Sequence, residues 1–230
     1  MTGQTDSNAL SATRIIGTVA MVTYPVQQIL VFAFLWIQPD RPLSDLDSLY
    51  ALGHFRWLWR AGVIVTGVGV VLLAVGLSRS LALGKRVRLG IFTMTLGGLA
   101  VIGTGVFPTD APLDDGTVGY TTSGVLHFVF GIVAFLALLV TVFVLKGVFR
   151  RDPRWSFAAR PTAWLAWWLL AGVVPLFAIP EGTTAAGVVQ RFVFVPNAVW
   201  GVWLAWSLRG IGRNVNGAIL RRARSDARNR

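Results

Sequence analysis

Long apolar runs separated by short polar segments dominate the pattern of this chain. A run of about 20 apolar residues is long enough to cross the hydrocarbon core of a bilayer as a helix. Six such runs occur, and they are continuous rather than alternating, which favours helices over β-strands. They cover residues 15–37, 61–78 (or from residue 57), 89–107, 125–145, 162–180 and 188–208. The pattern predicts an all-α, polytopic transmembrane bundle of six spans.

Composition points to the same fold class. Of the 230 residues, 54% are hydrophobic and only 13% are charged, whereas about 25% of an average soluble domain is charged. So little charge cannot cover the surface of a soluble enzyme. The chain contains no Cys, which excludes a disulfide-stapled domain, a zinc–thiolate site and a cysteine nucleophile.

Basic residues cluster in alternate connections between the apolar runs. Of the 21 Lys and Arg, 17 lie before the first run, in the second and fourth connections, or after the sixth run. Arg41, Arg56 and Arg60 lie on the opposite side, and Arg191 lies inside the sixth run. This asymmetry predicts that both termini are cytoplasmic. Membrane topology therefore explains most of the basic residues behind the net charge of +11, and nucleic-acid binding is not needed to explain them. We expect membrane lipids and no nucleic acid as partners.

The same boundaries divide the chain into a cytoplasmic N-terminal segment (1–14), a six-helix transmembrane domain (15–208) and a basic cytoplasmic tail (209–230). The first apolar run is too long for the apolar core of a cleaved signal peptide. Arg outnumbers Lys by 19 to 2, which is typical of a GC-rich bacterial genome. We therefore expect a multi-pass protein of a bacterial inner membrane, and the sequence predicts no oligomeric state.

Small residues form a stripe on the third run. Their spacing of three and four residues places all of them on one helix face, where another backbone can approach closely. The stripe predicts a central position for this helix. Its members are Gly90, Thr93, Gly97, Ala100 and Thr104.

Gln28 lies inside the first run, and Arg56 and Arg60 lie just ahead of the second. Each of these polar residues has a structural interpretation and a ligand-binding one. Gln28 lies mid-run, four residues after Tyr24. An amide in hydrocarbon needs partners, so Gln28 either bonds another helix or lines a ligand cavity. Arg56 and Arg60 stand among aromatic residues just ahead of the second run. They either anchor the helix at the membrane interface or bind a lipid phosphate.

A polar cluster is predicted on the side opposite the basic connections. An arginine within a span normally pairs with an acid, and we expect Asp110 or Glu181 to be the counter-charge of Arg191. Gln190 and Asn197 are seven residues apart, so they share one face of the sixth helix and could line the same site. The cluster comprises Asp110, His127, Glu181 and Arg191, with Gln190 and Asn197 beside it.

This cluster has three interpretations. It could be a structural ion pair that locks the third, fourth and sixth spans together. It could be a pocket for a polar headgroup or a small amphiphile. It could also be a catalytic site, with Asp110 or Glu181 as acid or base, His127 as its partner and Arg191 as an anion clamp. Spacing alone leaves all three open.

Short motifs beside these residues resemble the DUF998 family of six-span membrane proteins. The segment Phe107-Pro108-Thr109-Asp110 resembles its FPxD element, His127 matches its histidine, and residues 187–191 (GVVQR) resemble its G-x-x-[EQ]-R element. The resemblance covers roughly residues 15–208. It implies a six-helix membrane fold, distantly similar to the FRAG1/DRAM/Sfk1 group, and it implies no established reaction.

The predicted function is the binding of a lipid-like or amphiphilic small molecule through an outward-facing polar pocket. One alternative is an enzyme acting on a lipid or isoprenoid, such as an acid-initiated terpene cyclase, because tryptophans in the fifth and sixth runs could stabilise cations. A second alternative is a small transporter. No cofactor or metal is predicted, since His54 and His127 are the only histidines. The tryptophans are Trp164, Trp167, Trp168, Trp200, Trp203 and Trp206.

Overall fold

The computed structural model describes residues 2–38, 46–111, 119–179 and 184–228. Within these ranges the chain forms seven α-helices, two short 3-10 helices and no β-strand, so the all-α prediction is confirmed. The α-helices are α1 (Thr2–Thr23), α2 (Val26–Ile37), α3 (Arg56–Ser80), α4 (Lys85–Val106), α5 (Thr122–Arg151), α6 (Ala159–Ala178) and α7 (Thr184–Arg228). The 3-10 helices are η1 (Asp47–Leu52) and η2 (Ser156–Ala158).

Five stretches of the described helices are long and apolar enough to cross a membrane, and they coincide with five of the six predicted spans. They are Ser11–Ile37, Arg56–Ser80, Lys85–Val106, Thr122–Arg151 and Ala185–Gly210. Helix α6 covers most of the remaining predicted span but is not among them. Large apolar side chains such as Phe92 and Val199 face outward, each 64% exposed. These features together identify an integral membrane protein.

The first predicted span is broken where Pro25 interrupts it, because proline has no N–H and cannot continue the helix ladder. The hydroxyl of Thr66 on α3 bridges the break. It accepts from the Gln27 N–H at 2.9 Å and donates to the Thr23 carbonyl at 3.5 Å. Backbone groups freed in an apolar environment thus find partners inside the protein.

The helices form a closed ring, in which α1, α3, α4, α5, α6 and α7 each contact the next and α7 returns to α1. The end of the ring that carries the basic connections, called here the basic end, is filled by a buried core that includes Leu77, Leu145 and Leu208. The opposite half contains a smaller aromatic cluster and a cavity.

The small-residue stripe of α4 faces α5, as its spacing predicts. A Cβ at Gly90 would meet Leu145, and one at Gly97 would meet Ala137. The hydroxyls of Thr93 and Thr141 are 2.8 Å apart and hydrogen-bonded. This close contact fixes α5, which carries one wall of the cavity.

Helix boundaries extend beyond the predicted transmembrane domain. α1 begins at Thr2, and α7 continues to Arg228, so most of the predicted tail 209–230 continues the last helix.

Candidate functional site

A cavity of about 620 Å³ lies inside the ring, and Tyr24 and Met94 of the leucine-rich core contribute to its wall. Its volume is in the range of small-molecule sites, about 300–1,000 Å³. One part of its wall is apolar and includes Val63, Met94, Val101, Phe135 and Leu138. The polar part of the wall contains Gln28, Asp47, Asp110, His127, Gln190 and Asn197. All of these except Asp47 were predicted site residues, and the fold brings them to one cavity.

The cavity extends along α5. Its lining on this helix runs from His127 to Thr141, a separation of about 21 Å at a rise of about 1.5 Å per residue. Phe128, near the polar end, lines the cavity and is 55% exposed at the surface of the bundle.

The segment η1 folds over the polar end of the cavity. Leu46, Asp47, Ser48 and Leu49 contribute to the cavity wall. Tyr50 is fully buried and anchors the segment. Its ring centroid lies 5.2 Å from that of Phe34 on α2 and 5.3 Å from that of Trp59 on α3. Tilted aromatic contacts of this kind stabilise the position of η1 beyond simple burial.

Asp47 of η1 is an ion-pair partner of Arg191 on α7. The Nη2 atom of Arg191 lies 3.2 Å from Oδ1 of Asp47, and the two side chains are only 7% and 1% exposed. Arg191 also donates to the Tyr50 hydroxyl at 3.4 Å. The Gln190 side-chain oxygen accepts from the Asp47 N–H at 2.7 Å. These contacts join η1, in the connection between α2 and α3, to α7. They are called here the η1–α7 clasp.

The expected pairing of Arg191 with Asp110 is wrong, because Asp110 bonds to α5 instead. Glu181, the other predicted counter-charge, lies outside the described residues. Arg191 itself does not line the cavity and acts through the position of Asp47. The physical reason is that η1 turns back into the bundle, which brings a buried acid to α7 that no helix periodicity predicts.

Burial raises the pKa of Asp47 from 3.8 to about 7, against the lowering effect of the Arg191 charge. The arginine therefore does not fully compensate for the removal of the carboxylate from water. A carboxyl that titrates near neutral pH in a cavity wall is typical of functional sites.

Asp110 holds the start of α5. Its two carboxylate oxygens accept from the Thr121 N–H, at 2.9 Å, and from the Thr121 hydroxyl. The same Thr121 oxygen accepts from the Gly124 N–H at 3.1 Å and caps the helix. A Cβ at Gly124 would collide with the carboxylate. The negative charge also lies at the favourable end of the α5 dipole.

His127 also joins the start of α5 to the end of α4. The contacts of Asp110, Thr121 and His127 are called here the α4–α5 clasp. The His127 Nδ1 lies 2.8 Å from the Phe107 carbonyl oxygen and 3.1 Å from that of Thr104. Carbonyl oxygens only accept, so Nδ1 carries the proton and, in the neutral ring, Nε2 is left as an acceptor. The Phe107 and Phe130 rings stack at 5.7 Å beside it.

Gln28 differs from the amides of Asn197 and Gln190 along the cavity. The Asn197 side-chain oxygen accepts from the Tyr24 hydroxyl at 3.2 Å, and the Gln190 oxygen accepts from η1. The Gln28 side chain is 8% exposed, and its Oε1 has no hydrogen-bond partner among the described residues. A buried acceptor without a partner is costly, so Gln28 is a natural point of attachment for a donor on a ligand.

Arg56 and Arg60 do not line the cavity. Arg60 donates to the carbonyls of Gly105 at 2.9 Å and Val106 at 2.6 Å, and thereby caps the end of α4. Arg56 is exposed. Among the described residues no group of three or more His, Asp or Glu could hold a metal ion.

Comparison with known proteins gives one family match. The model of the family described as "Protein of unknown function (DUF998)" matches residues 15–207. Neither the curated proteins nor the solved structures contain a match. The short motifs that carry the resemblance fall in the two clasps, Asp110 and His127 in one and Gln190 and Arg191 in the other.

A double-mutant cycle tests the η1–α7 clasp. The cycle is measured at pH 8, above the Asp47 pKa of about 7, where the carboxyl is ionised. There Asp47→Asn or Arg191→Gln alone leaves a buried charge without its partner, which costs about 3–5 kcal/mol, so each should lower the melting temperature in detergent strongly. The double variant removes both charges and should recover much of that loss. Arg154→Gln is the control, because Arg154 pairs with Asp152 but is 52% exposed and should cost less than about 1 kcal/mol. Additive losses in the double variant would contradict the pairing.

Stability should also depend on pH through Asp47. Its folded pKa of about 7 lies above the ordinary 3.8, so the folded chain binds the proton more tightly than the unfolded chain. The free energy of unfolding therefore falls as pH rises from about 4 to about 7. Melting temperatures across this window should decline in the wild type, with a smaller decline in Asp47→Asn. The prediction is contradicted if the wild-type melting temperature rises from pH 4 to pH 7 and Asp47→Asn shows the same pH dependence.

Proposed function

This chain belongs to the DUF998 family, whose description assigns no reaction, and we propose that it binds a single-chain amphiphile in the cavity of the bundle. The polar group of the ligand lies beside Gln28 of α2, at the end of the cavity that η1 lines, and its chain extends toward the middle of the membrane. The observation that carries the proposal is one elongated cavity with a polar end and an apolar body.

The shape of the cavity supports one hydrocarbon chain as the occupant. A lining that extends about 21 Å along α5 and a volume of about 620 Å³ suit one extended aliphatic or isoprenoid chain. Apolar side chains such as Met94, Phe135 and Leu138 line its body. Burying a chain there removes apolar area from water when the ligand arrives from solution, and replaces lipid contacts when it arrives from the bilayer.

Hydrogen bonding supports a ligand whose polar group donates, such as a hydroxyl. The buried Gln28 oxygen lacks a partner among the described residues, and the His127 Nε2 adds a second acceptor. The side-chain oxygens of Asn197 and Gln190 are occupied by Tyr24 and by η1, and the Asp47 carboxylate beside Arg191 is a further acceptor in the wall. A hydroxyl beside Gln28 satisfies the open acceptor and fixes the depth of the chain.

The enzyme alternative has weaker support. None of the six tryptophans predicted for a cyclase cavity lines it, and Trp164, Trp167 and Trp206 are more than half exposed. Both oxygens of Asp110 already accept hydrogen bonds from Thr121, so this carboxyl is poorly placed to give a proton to a substrate. No feature of the described residues specifically supports the transporter alternative.

The proposal includes six spans, with both termini in the cytoplasm and the polar end of the cavity on the outer face of a bacterial inner membrane. Helix α6 has 20 residues, about 30 Å, which is enough to cross a bilayer. The 17 basic residues that lie before the first run, in the second and fourth connections or after the sixth run support this orientation. Exposed tryptophans at both ends of the bundle, such as Trp36 and Trp164, fit interfacial positions.

Ligand binding can be tested with hexadecanol and its methyl ether on protein in nanodiscs. We expect the alcohol to bind roughly two- to tenfold more tightly, because one neutral hydrogen bond contributes about that much. Gln28→Leu should bind both probes equally. Gly131 lines the cavity and has open space where a Cβ would stand, so Gly131→Leu should fill the cavity and abolish binding of both.

Gly147→Leu is the matched control, because Gly147 lies on the same helix and also faces open space, but outside the cavity. It should bind both probes as the wild type does. Failure of the wild type to bind either probe, or unchanged binding in Gly131→Leu, would refute the proposed function. Equal binding of both probes by the wild type would refute only the role of Gln28.

Orientation can be tested by single-cysteine labelling, since the chain has no native Cys. Tyr120 precedes α5 near Asp110 and is 84% exposed, and Leu83 lies between α3 and α4 at the basic end and is 65% exposed. On intact cells an impermeant maleimide should label Tyr120→Cys and should reach Leu83→Cys only after the membrane is broken. The reverse pattern would overturn the proposed orientation.

A further inference from the structure

A second cavity, called here the basic groove, lies at the opposite end of the bundle from η1. It has a volume of about 600 Å³ and separates the α3–α4 turn from the α5–α6 connection. Its walls come from the turn after α3, the start of α4, the end of α5 and the connection that follows α5. The groove therefore lies beside the ends of three helices that are long and apolar enough to cross a membrane.

Positive charge surrounds the basic groove. Lys85, Arg86 and Arg151 line it, are exposed and form no hydrogen bond or ion pair with the described residues. Arg154 differs, because its Nη2 lies 3.1 Å from Oδ2 of Asp152. Partial burial alone would raise the pKa of Asp152, but the hydrogen bonds and charge of Arg154 lower it below its ordinary value. This pair is neutral, so three cations remain uncompensated.

The floor of the groove is apolar and has room for a ligand. Leu81, Val87 and Val148 line it and are each less than a tenth exposed. Gly84 and Gly147 also line it, and no atom lies within 4 Å of where their Cβ atoms would stand. Three cations around an apolar floor are complementary to a ligand that carries an anionic group next to a hydrocarbon chain.

We propose that the basic groove binds one anionic phospholipid, with its phosphate among Lys85, Arg86 and Arg151. The glycerol region and the first part of the chains then lie on Leu81, Val87 and Val148. Membrane-proximal basic pockets between helices attract anionic headgroups, at about 1 kcal/mol for each basic residue near the surface. The apolar floor favours a lipid over a free anion. This site is separate from the cavity beside Gln28 and does not depend on the function proposed for it.

The test uses native mass spectrometry of the full chain in a neutral detergent, titrated with phosphatidylglycerol or phosphatidylcholine. The wild type should retain phosphatidylglycerol preferentially. Arg86→Gln and Arg151→Gln should each lower its affinity about fivefold. Arg88→Gln removes the same charge from an exposed residue of α4 that does not line the groove, so it should have much less effect.

Gly147→Leu keeps every charge and fills the groove, so it should reduce phosphatidylglycerol binding without lowering the melting temperature. Gly131→Leu is its control and should bind this lipid normally. The proposal is overturned by equal losses in Arg88→Gln and Arg86→Gln, which would indicate diffuse attraction, or by undiminished binding in Gly147→Leu. Displacement of the lipid by an equal concentration of inorganic phosphate would also overturn it, since the site would then be one for a free anion.

Discussion

The buried ion pair between Asp47 and Arg191 determines how this bundle is closed at one end. Charges inside an apolar bundle must find partners within the protein, and here the partner comes from a connection, not from another span. The pairing draws η1 inward, where Tyr50 packs on Phe34 and Trp59. Burial raises the pKa of Asp47 in spite of the Arg191 charge, so the arginine compensates only in part for the removal of the carboxylate from water. The ion pair and the aromatic contacts of Tyr50 together hold η1 at the cavity wall.

Two clasps frame the cavity with nearly self-sufficient polar groups. Asp110, Thr121 and His127 bind α5 to the end of α4, and Gln190 and Arg191 bind η1 to α7. Between them the wall is apolar except for groups such as Asn197 that are already bonded. Among the described residues, the Gln28 oxygen is buried without a hydrogen-bond partner. Together with the Asp47 carboxylate that pairs with Arg191, it is an acceptor in the cavity wall on which the proposed ligand binding depends.

The sequence predicts the helices well, because apolar runs of membrane length depend only on local composition. It also indicates Gln28, Asp110, His127, Gln190 and Asn197 as candidate site residues, since each is polar in or next to an apolar run, and it is the structure that places all five in the wall of one cavity. The sequence misses Asp47 and Tyr50, because a 3-10 turn within a connection has no long periodicity. Their spacing of three residues is the only signal that could have placed both on one face. It also misassigns Asp110, since spacing along the chain cannot distinguish a helix cap from an ion-pair partner of Arg191.

The central claim is that η1, held by Asp47 and Arg191, covers an amphiphile-binding cavity that the ring of helices leaves open. An electron cryo-microscopy structure of the protein, extracted from its native membrane directly into nanodiscs, tests this most directly. The account predicts elongated density in the cavity, with its polar end within hydrogen-bond distance of the Gln28 side chain, and Asp47 in contact with Arg191. A cavity filled by the protein's own side chains, or η1 displaced with Arg191 turned toward Asp110, would contradict it.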